Sequence, residues 1–319
     1  MKGKHIIRVR NKKVHFTVDL ERNITVIRGD SATGKTTLIG MLTDYETLDA
    51  QSGVSVECDK TCRVLNSIDW ETRLSAIHDS IVFIDEGNAF VHSADFARAI
   101  QGTDNYYVLI TRESLYQLPY SVESVLELRK TTSRINRTYN RTYPYYKKYE
   151  KAEESLVKID KIITEDSNAG HQMFTNIAAR HDKECVSAQG KSNIFRTLQN
   201  MGEGKVLVIA DGAAFGAEME KVYQYVKQNP DKIDLYLPES FEWLVLKSGM
   251  IREVDVDAIL AAPENHIDSE IFFSWEQFFT DLLMRITADR DYMRYNKQEL
   301  KPFYLQEGNV EKLLAAMEE

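Results

Sequence analysis

The sequence predicts an α/β protein in two parts, an N-terminal parallel sheet and then a smaller α/β domain leading into a mainly helical C-terminal region. Three observations predict it. Short β-branched apolar runs alternate with helical periodicity through residues 1–128, and the alternation resumes through 156–250. Strands separated by helices assemble into parallel sheets. Between the two series, residues 129–151 hold eight Lys or Arg, five Tyr and one Glu, which marks a basic, Tyr-rich linker over 129–155. The length of 319 residues divides into two domains of ordinary size, with 251–319 as the helical remainder.

Taken in order, residues 4–10 and 13–20 read as two strands joined at Asn11-Lys12, and 23–28 as a third. A helix is expected from about Lys35 to Asp44. Residues 54–58 and 62–65 read as a hairpin about Asp59-Lys60, and 69–78 as a helix. Ser80-Ile-Val-Phe-Ile84 and Tyr106-Tyr-Val-Leu-Ile110 are fully apolar, as buried parallel strands are. A helix separates them at 94–101, and one more strand follows at 122–128. The second series places strands at 157–164, 185–188, 205–210 and 232–237, and helices at 168–180, 193–200, 217–227 and 241–247. Trp275-Glu-Gln-Phe-Phe-Thr-Asp-Leu-Leu-Met-Arg285 is the clearest amphipathic helix of the C-terminal region.

Composition narrows the class. The chain is 43% hydrophobic and 28% charged with a net charge of −9, which argues against a generally basic coat for nucleic acid but leaves room for a local basic patch. No run of about 18 apolar residues occurs, and the first residues lack the apolar stretch of a secretory signal, so a cytoplasmic protein without membrane association is expected. Three cysteines, Cys58, Cys62 and Cys185, fit a reducing compartment rather than a disulfide framework. Cys58 and Cys62 lack the second Cys/His pair that a closed zinc site needs.

Gly29-Asp30-Ser31-Ala32-Thr33-Gly34-Lys35-Thr36 matches G-x-x-x-x-G-K-[ST] in full, with Thr37 following and a β-branched strand in front. In this Walker A pattern the glycines let successive N–H groups point at phosphates, and the following helix adds its positive end. Lys35 is expected to reach the β- and γ-phosphates of a nucleoside triphosphate, ATP by default, and Thr36 to ligate Mg2+. Ile81-Val-Phe-Ile-Asp85-Glu86 is an apolar strand ending in two acids. Asp85 is expected in the magnesium shell and Glu86 as the group that polarises the attacking water. The next strand ends in Thr111-Arg112, where Arg112 either stabilises transition-state charge or is a solvated strand end.

By these residues the first 128 positions resemble the head of ABC-type and related P-loop ATPases. The resemblance implies ATP hydrolysis; the chain departs from it in having no Leu-Ser-Gly-Gly-type signature before Ile81. Residues 157–250 resemble a Toprim domain through Ile162-Ile-Thr-Glu165, Ser187-Ala-Gln-Gly190 and Val206-Leu-Val-Ile-Ala-Asp211-Gly-Ala213. The resemblance implies a second metal site at Glu165 and Asp211 acting on phosphodiesters. Ala213 stands where that family has a second aspartate, and Asp166, Glu218 and Glu239 are candidate replacements. The two parts together resemble the OLD-type nuclease layout of genome defence.

Leu237-Pro-Glu-Ser-Phe-Glu-Trp243 reads either as lining for the second site or as a capped helix start. The 129–151 segment reads either as a nucleic-acid contact or as a charged, packed helix. The leading expectation is an ATPase gating a Toprim-like domain that acts on or senses nucleic acid. The alternatives are a nucleotide-dependent switch that self-associates or binds a protein partner, and a P-loop kinase.

Overall fold

The computed structural model describes residues 1–29, 33–66, 68–134, 137–146, 158–253 and 255–318. These divide into two compact units, one within Met1–Lys147 and Pro263–Ser274, the other within Lys148–Ala262 and Trp275–Glu319. The architecture is α/β, with a large sheet in the first unit that is mixed rather than parallel as expected, because β1 and β2 pair antiparallel within it, and a smaller parallel sheet with helices in the second. No helix among the described residues is long and apolar enough to cross a membrane.

In the first unit, β1 (His5–Arg10) alternates buried and exposed residues and pairs antiparallel with β2 (Val14–Leu20). The turn between them closes because the Asn11 side-chain oxygen accepts the Lys13 and Val14 N–H groups. β3 (Ile24–Arg28), β6 (Ser80–Ile84) and β7 (Tyr106–Ile110) are buried at every position. They lie parallel, with β7 between the other two. Helix α1 (Lys35–Leu48) buries Leu38, Ile39, Met41 and Leu42 against Ile7, Val9, Phe16, Val18, Phe83 and Val108. Each such side chain contributes about 1.5–3 kcal/mol by leaving water. α2 (Trp70–Leu74) and α3 (Ala94–Ile100) are short; Trp70 and Phe96 meet edge-to-face at 5.6 Å.

Two expectations for this unit are corrected. β4 (Ser55–Glu57) and β5 (Thr61–Val64) form where strands are read, but not as a hairpin. β4 pairs antiparallel with β1 and β5 parallel with β6, at opposite ends of the sheet order β4-β1-β2-β9-β8-β3-β7-β6-β5. Only Cys58, Asp59 and Lys60 separate them, so the sheet curls about α1 until its edges approach. There the His5 ring Nδ1 lies 2.8 Å from the Asp59 carboxylate. The second correction concerns the basic segment. Its described residues through 144 are neither linker nor helix: β8 (Val125–Arg134) and β9 (Arg137–Pro144) pair antiparallel inside the sheet. β8 joins β3 and β9 joins β2, both in parallel. Residues 147–155 lie outside the described residues.

In the second unit, β10 (Lys161–Thr164), β11 (Glu184–Ser187), β12 (Val206–Ile209) and β13 (Ile233–Tyr236) form an all-parallel sheet in the order β11-β10-β12-β13. Connections run through α4 (Ala169–Arg180), α5 (Lys191–Gln199) and α6 (Gly216–Gln228). α7 (Phe241–Lys247) spans the residues expected for it and is capped as its sequence implies, the Ser240 Oγ accepting the Trp243 N–H at 3.1 Å. α8 (Val256–Ala261), α9 (Trp275–Thr287) and α10 (Glu307–Glu318) form the C-terminal helices, and all three pack against α7. They are therefore part of this unit rather than a region of their own, and residues 263–274 belong to the first unit.

Gly212 holds the second unit's central turn. Its N–H donates to the Pro238 carbonyl at 2.6 Å, and a Cβ placed there would lie 2.7 Å from the Leu237 carbonyl oxygen. Backbone atoms cannot yield as a side chain can. Gly212→Ala is expected to destabilise this unit by more than about 2 kcal/mol; an unchanged melting midpoint would show that the turn relaxes freely.

Candidate functional site

The described residues of the Gly29–Thr36 segment lie between a strand and a helix. Gly29 follows β3 (φ +125°), and the chain enters α1 through Gly34 (φ +96°), conformations that side-chain-bearing residues rarely adopt. Gly34 is also confined, since a Cβ there would lie 3.1 Å from the Phe16 ring. Asp30, Ser31 and Ala32 lie outside the described residues. Lys35 is buried at the helix start, and its ammonium turns back over the loop, donating to the Gly29 carbonyl at 2.6 Å and to the Thr33 hydroxyl at 3.2 Å. Thr36 and Thr37 are exposed on the first turn.

Sheet register brings the remaining residues to the same end. Ile27 pairs with Ile110, and Ile84 with Leu109, so Asp85 follows at the level of Ile27, with Thr111-Arg112 ending the strand between them. The Asp85 carboxylate accepts the Glu86 N–H at 2.8 Å, which turns the chain sharply after β6. Glu86 and Arg112, two residues singled out separately from the sequence, form an exposed ion pair at 3.2 Å. Thr111 is buried, its hydroxyl accepting the Glu113 N–H.

The second unit holds an acidic cleft. Glu165 follows β10 and Asp211 follows β12, adjacent parallel strands, and a Glu165 carboxylate oxygen accepts the Asp211 N–H at 3.1 Å. Asp211 in turn accepts the Phe241 N–H at 3.0 Å, at the start of α7. They surround a cavity of about 30 Å³, room for one or two waters or an ion. Asp166, Glu242, Tyr295 and Lys297 line it as well. Of the three carboxylates considered as replacements at position 213, Asp166 lines this cavity and Glu218 and Glu239 do not. Ala213 is buried in the turn against which α9 packs.

Charge is crowded here. Burial first, and then the Glu276 carboxylate, push the Glu165 pKa up to about 7. Burial raises Asp211 as well, with Glu276, Glu165 and Glu242 adding repulsion. Burial alone lowers Lys297, but the charges of Glu276 and Glu242 outweigh it and raise its pKa; its ammonium meets Glu276 at 2.8 Å. Glu242 is almost wholly buried, with one oxygen accepting the Tyr295 hydroxyl at 2.7 Å and the other lacking a partner. As the side chains stand, no three His, Cys, Asp or Glu among the described residues close on a single ion.

Sequence reasoning missed Glu276, Lys297 and Tyr295. Glu276 reads as an ordinary first-turn acid of an amphipathic helix, and nothing local marks the other two. Glu242 lay in a segment with two readings, and both hold: α7 is capped there and Glu242 lines the cleft. Comparison of the chain with protein-family models, with curated proteins and with solved structures finds no match.

Proposed function

We propose that the chain is a magnesium-dependent nucleoside triphosphatase, with ATP as its nucleotide, whose turnover governs a Toprim-like second unit acting on nucleic acid. One observation carries the first part. Gly29, Gly34 and the Lys35 ammonium frame a strand–loop–helix turn, and Asp85 and Glu86 leave β6 at the same end of the sheet. Backbone N–H groups at 29–36 and Lys35 would hold the phosphates, with Thr36 and Asp85 holding Mg2+. The ion would supply charge neutralisation between the β- and γ-phosphates. Glu86 would orient and deprotonate water, and Arg112, already on Glu86, would spread the charge that develops on the transferred group.

The second part rests on Glu165 and Asp211 at adjacent strand ends, with Glu242 and Glu276 adding the charge that Ala213 does not. A divalent cation would fit this donor set chemically and would displace Lys297 from Glu276. A second reading has its own observation. Lys297 already supplies a cation to the cluster, which suits an inert module in a nucleotide-dependent switch. Phosphate release from ATP with magnesium, measured with and without added DNA or RNA, separates them. Turnover that depends on Lys35 and rises with nucleic acid is expected; turnover indifferent to nucleic acid favours the switch, and phosphate transfer only to an added acceptor favours a kinase.

A further inference from the structure

We propose that the outer face of β1, β2, β9 and β8 binds single-stranded nucleic acid, guanidiniums meeting phosphates and the Tyr139, His15 and Tyr143 rings stacking on bases. Alternation fixes which side this is: Ile7, Val9, Phe16, Val18 and Leu128 face α1, so their neighbours along each strand face outward. Register then aligns the outward residues across strands. Arg8 lies opposite Thr17, Thr17 opposite Arg141, and Arg141 opposite Arg129. One step along, Arg10 lies opposite His15, and His15 opposite Tyr139. The first row spans about 14 Å at the usual strand spacing.

Like charges opposite one another destabilise a sheet, so this row of three arginines needs counter-charge, which two of them take from neighbouring carboxylates. Glu57, Asp19 and Glu127 pair with Arg10, Arg141 and Arg129. Arg8 and Arg137 remain without an ion pair among the described residues, and both are exposed. Aromatic rings stand between the charges: His15 and Tyr139 are 4.7 Å apart, and Arg129 lies 5.5 Å from the centre of the Tyr143 ring. Burial, then Arg137 and Arg10, lower the His15 pKa, which keeps its ring neutral. Rings interleaved with guanidiniums on an open sheet suit unpaired bases; a duplex hides its base faces, and a lipid surface asks for a cluster of apolar anchors where this face offers Ile6 among its charges.

The face also reaches the nucleotide site. Glu127, the partner of Arg129, has its Cβ 3.8 Å from where a Cβ on Gly29 would lie. Phosphates that draw Arg129 away leave the Glu127 charge beside the loop, which links occupancy of the face to turnover. That link rests on the nucleotide reading; binding at the face does not.

The test is fluorescence polarisation of a labelled oligothymidylate, without nucleotide, over a range of salt. Wild type is expected to bind with affinity that falls as salt rises. Arg8→Glu with Arg137→Glu should abolish binding. Tyr139→Ala should weaken it by roughly fivefold or more, the loss of one stacked base, and Tyr139→Phe should restore it. Lys35→Ala should bind oligothymidylate like wild type while losing nucleotide, which separates this surface from the nucleotide reading. Equal affinity for duplex, an unaffected Tyr139→Ala, or binding to phosphatidylserine vesicles but not to oligothymidylate would each overturn the proposal.

Discussion

In Glu86→Gln, phosphate release from ATP and magnesium is expected to fall about 100-fold or more while nucleotide still binds. The amide keeps the shape of the side chain and a hydrogen bond toward Arg112, and it loses the ability to take a proton from water. The Glu86–Arg112 pair is exposed on both sides, so its loss costs little stability, within about 1 kcal/mol, and the fall in turnover cannot be assigned to unfolding. Lys35→Ala provides the contrast. Lys35 lies buried with its ammonium on the Gly29 carbonyl, and under the proposed nucleotide reading its loss would take the main positive partner from the triphosphate, so binding itself should disappear. A fluorescent-nucleotide titration beside the phosphate assay distinguishes the two. If Glu86→Gln turned over like wild type, water would be activated elsewhere, and the Asp85 carboxylate would be the next residue to test.

Where a strand is buried on both faces, its sequence alone identifies it. Residues 81–84 and 106–110 are apolar or aromatic throughout, and with Ser80 they form β6 and β7 at the bounds read from them. β9 was not legible for the opposite reason. Its inward residues Asn140 and Thr142 are polar though buried, and its outward ones are Arg137, Tyr139, Arg141 and Tyr143. With no apolar alternation, the segment reads as a basic linker. The β4–β5 error is different in kind. Each strand was recognisable, but pairing is decided by the curl of the sheet around α1, which no local pattern records.

The sites divide in the same way. Gly29, Asp85 and Glu86, and Glu165 and Asp211 all follow strand ends, where order along the chain predicts position at one end of the sheet. Glu276 and Lys297 reach the cleft from α9 and the segment beyond it, distant in sequence and joined only by packing. Their role became visible through their effect on Glu165 and Asp211, and no short motif encodes that.

Asp211→Asn should make the second unit more stable at pH 7 and, in the same protein, remove any magnesium- or manganese-dependent cleavage of nucleic acid. The stability effect follows from linkage. Burial and the surrounding carboxylates raise the Asp211 pKa well above its ordinary 3.8, and Glu165 is pushed from 4.5 up to about 7. An acid raised in the folded state contributes fully below its unfolded value, and that contribution is lost as pH rises through the folded value. At pH 7 the unfolded chain carries Asp211 ionised while the folded cleft disfavours that charge, so the acid is a cost to folding, and asparagine removes it while keeping the oxygen that accepts the Phe241 N–H. The melting advantage of Asp211→Asn should be absent near pH 4 and grow toward pH 8, by about 2–4 °C for each kcal/mol recovered. Cleavage should vanish because the same charge that strains the fold is what a divalent cation would neutralise. ATP turnover in the absence of nucleic acid should be unchanged, since Asp211 belongs to the other unit. Scanning fluorimetry across this pH range and a cleavage assay on the same preparation test both halves. A variant less stable than wild type at pH 7 would mean that Asp211 is held by compensating contacts and that the cleft is not strained. A stabilised variant that still cleaved would detach cleavage from this cleft altogether.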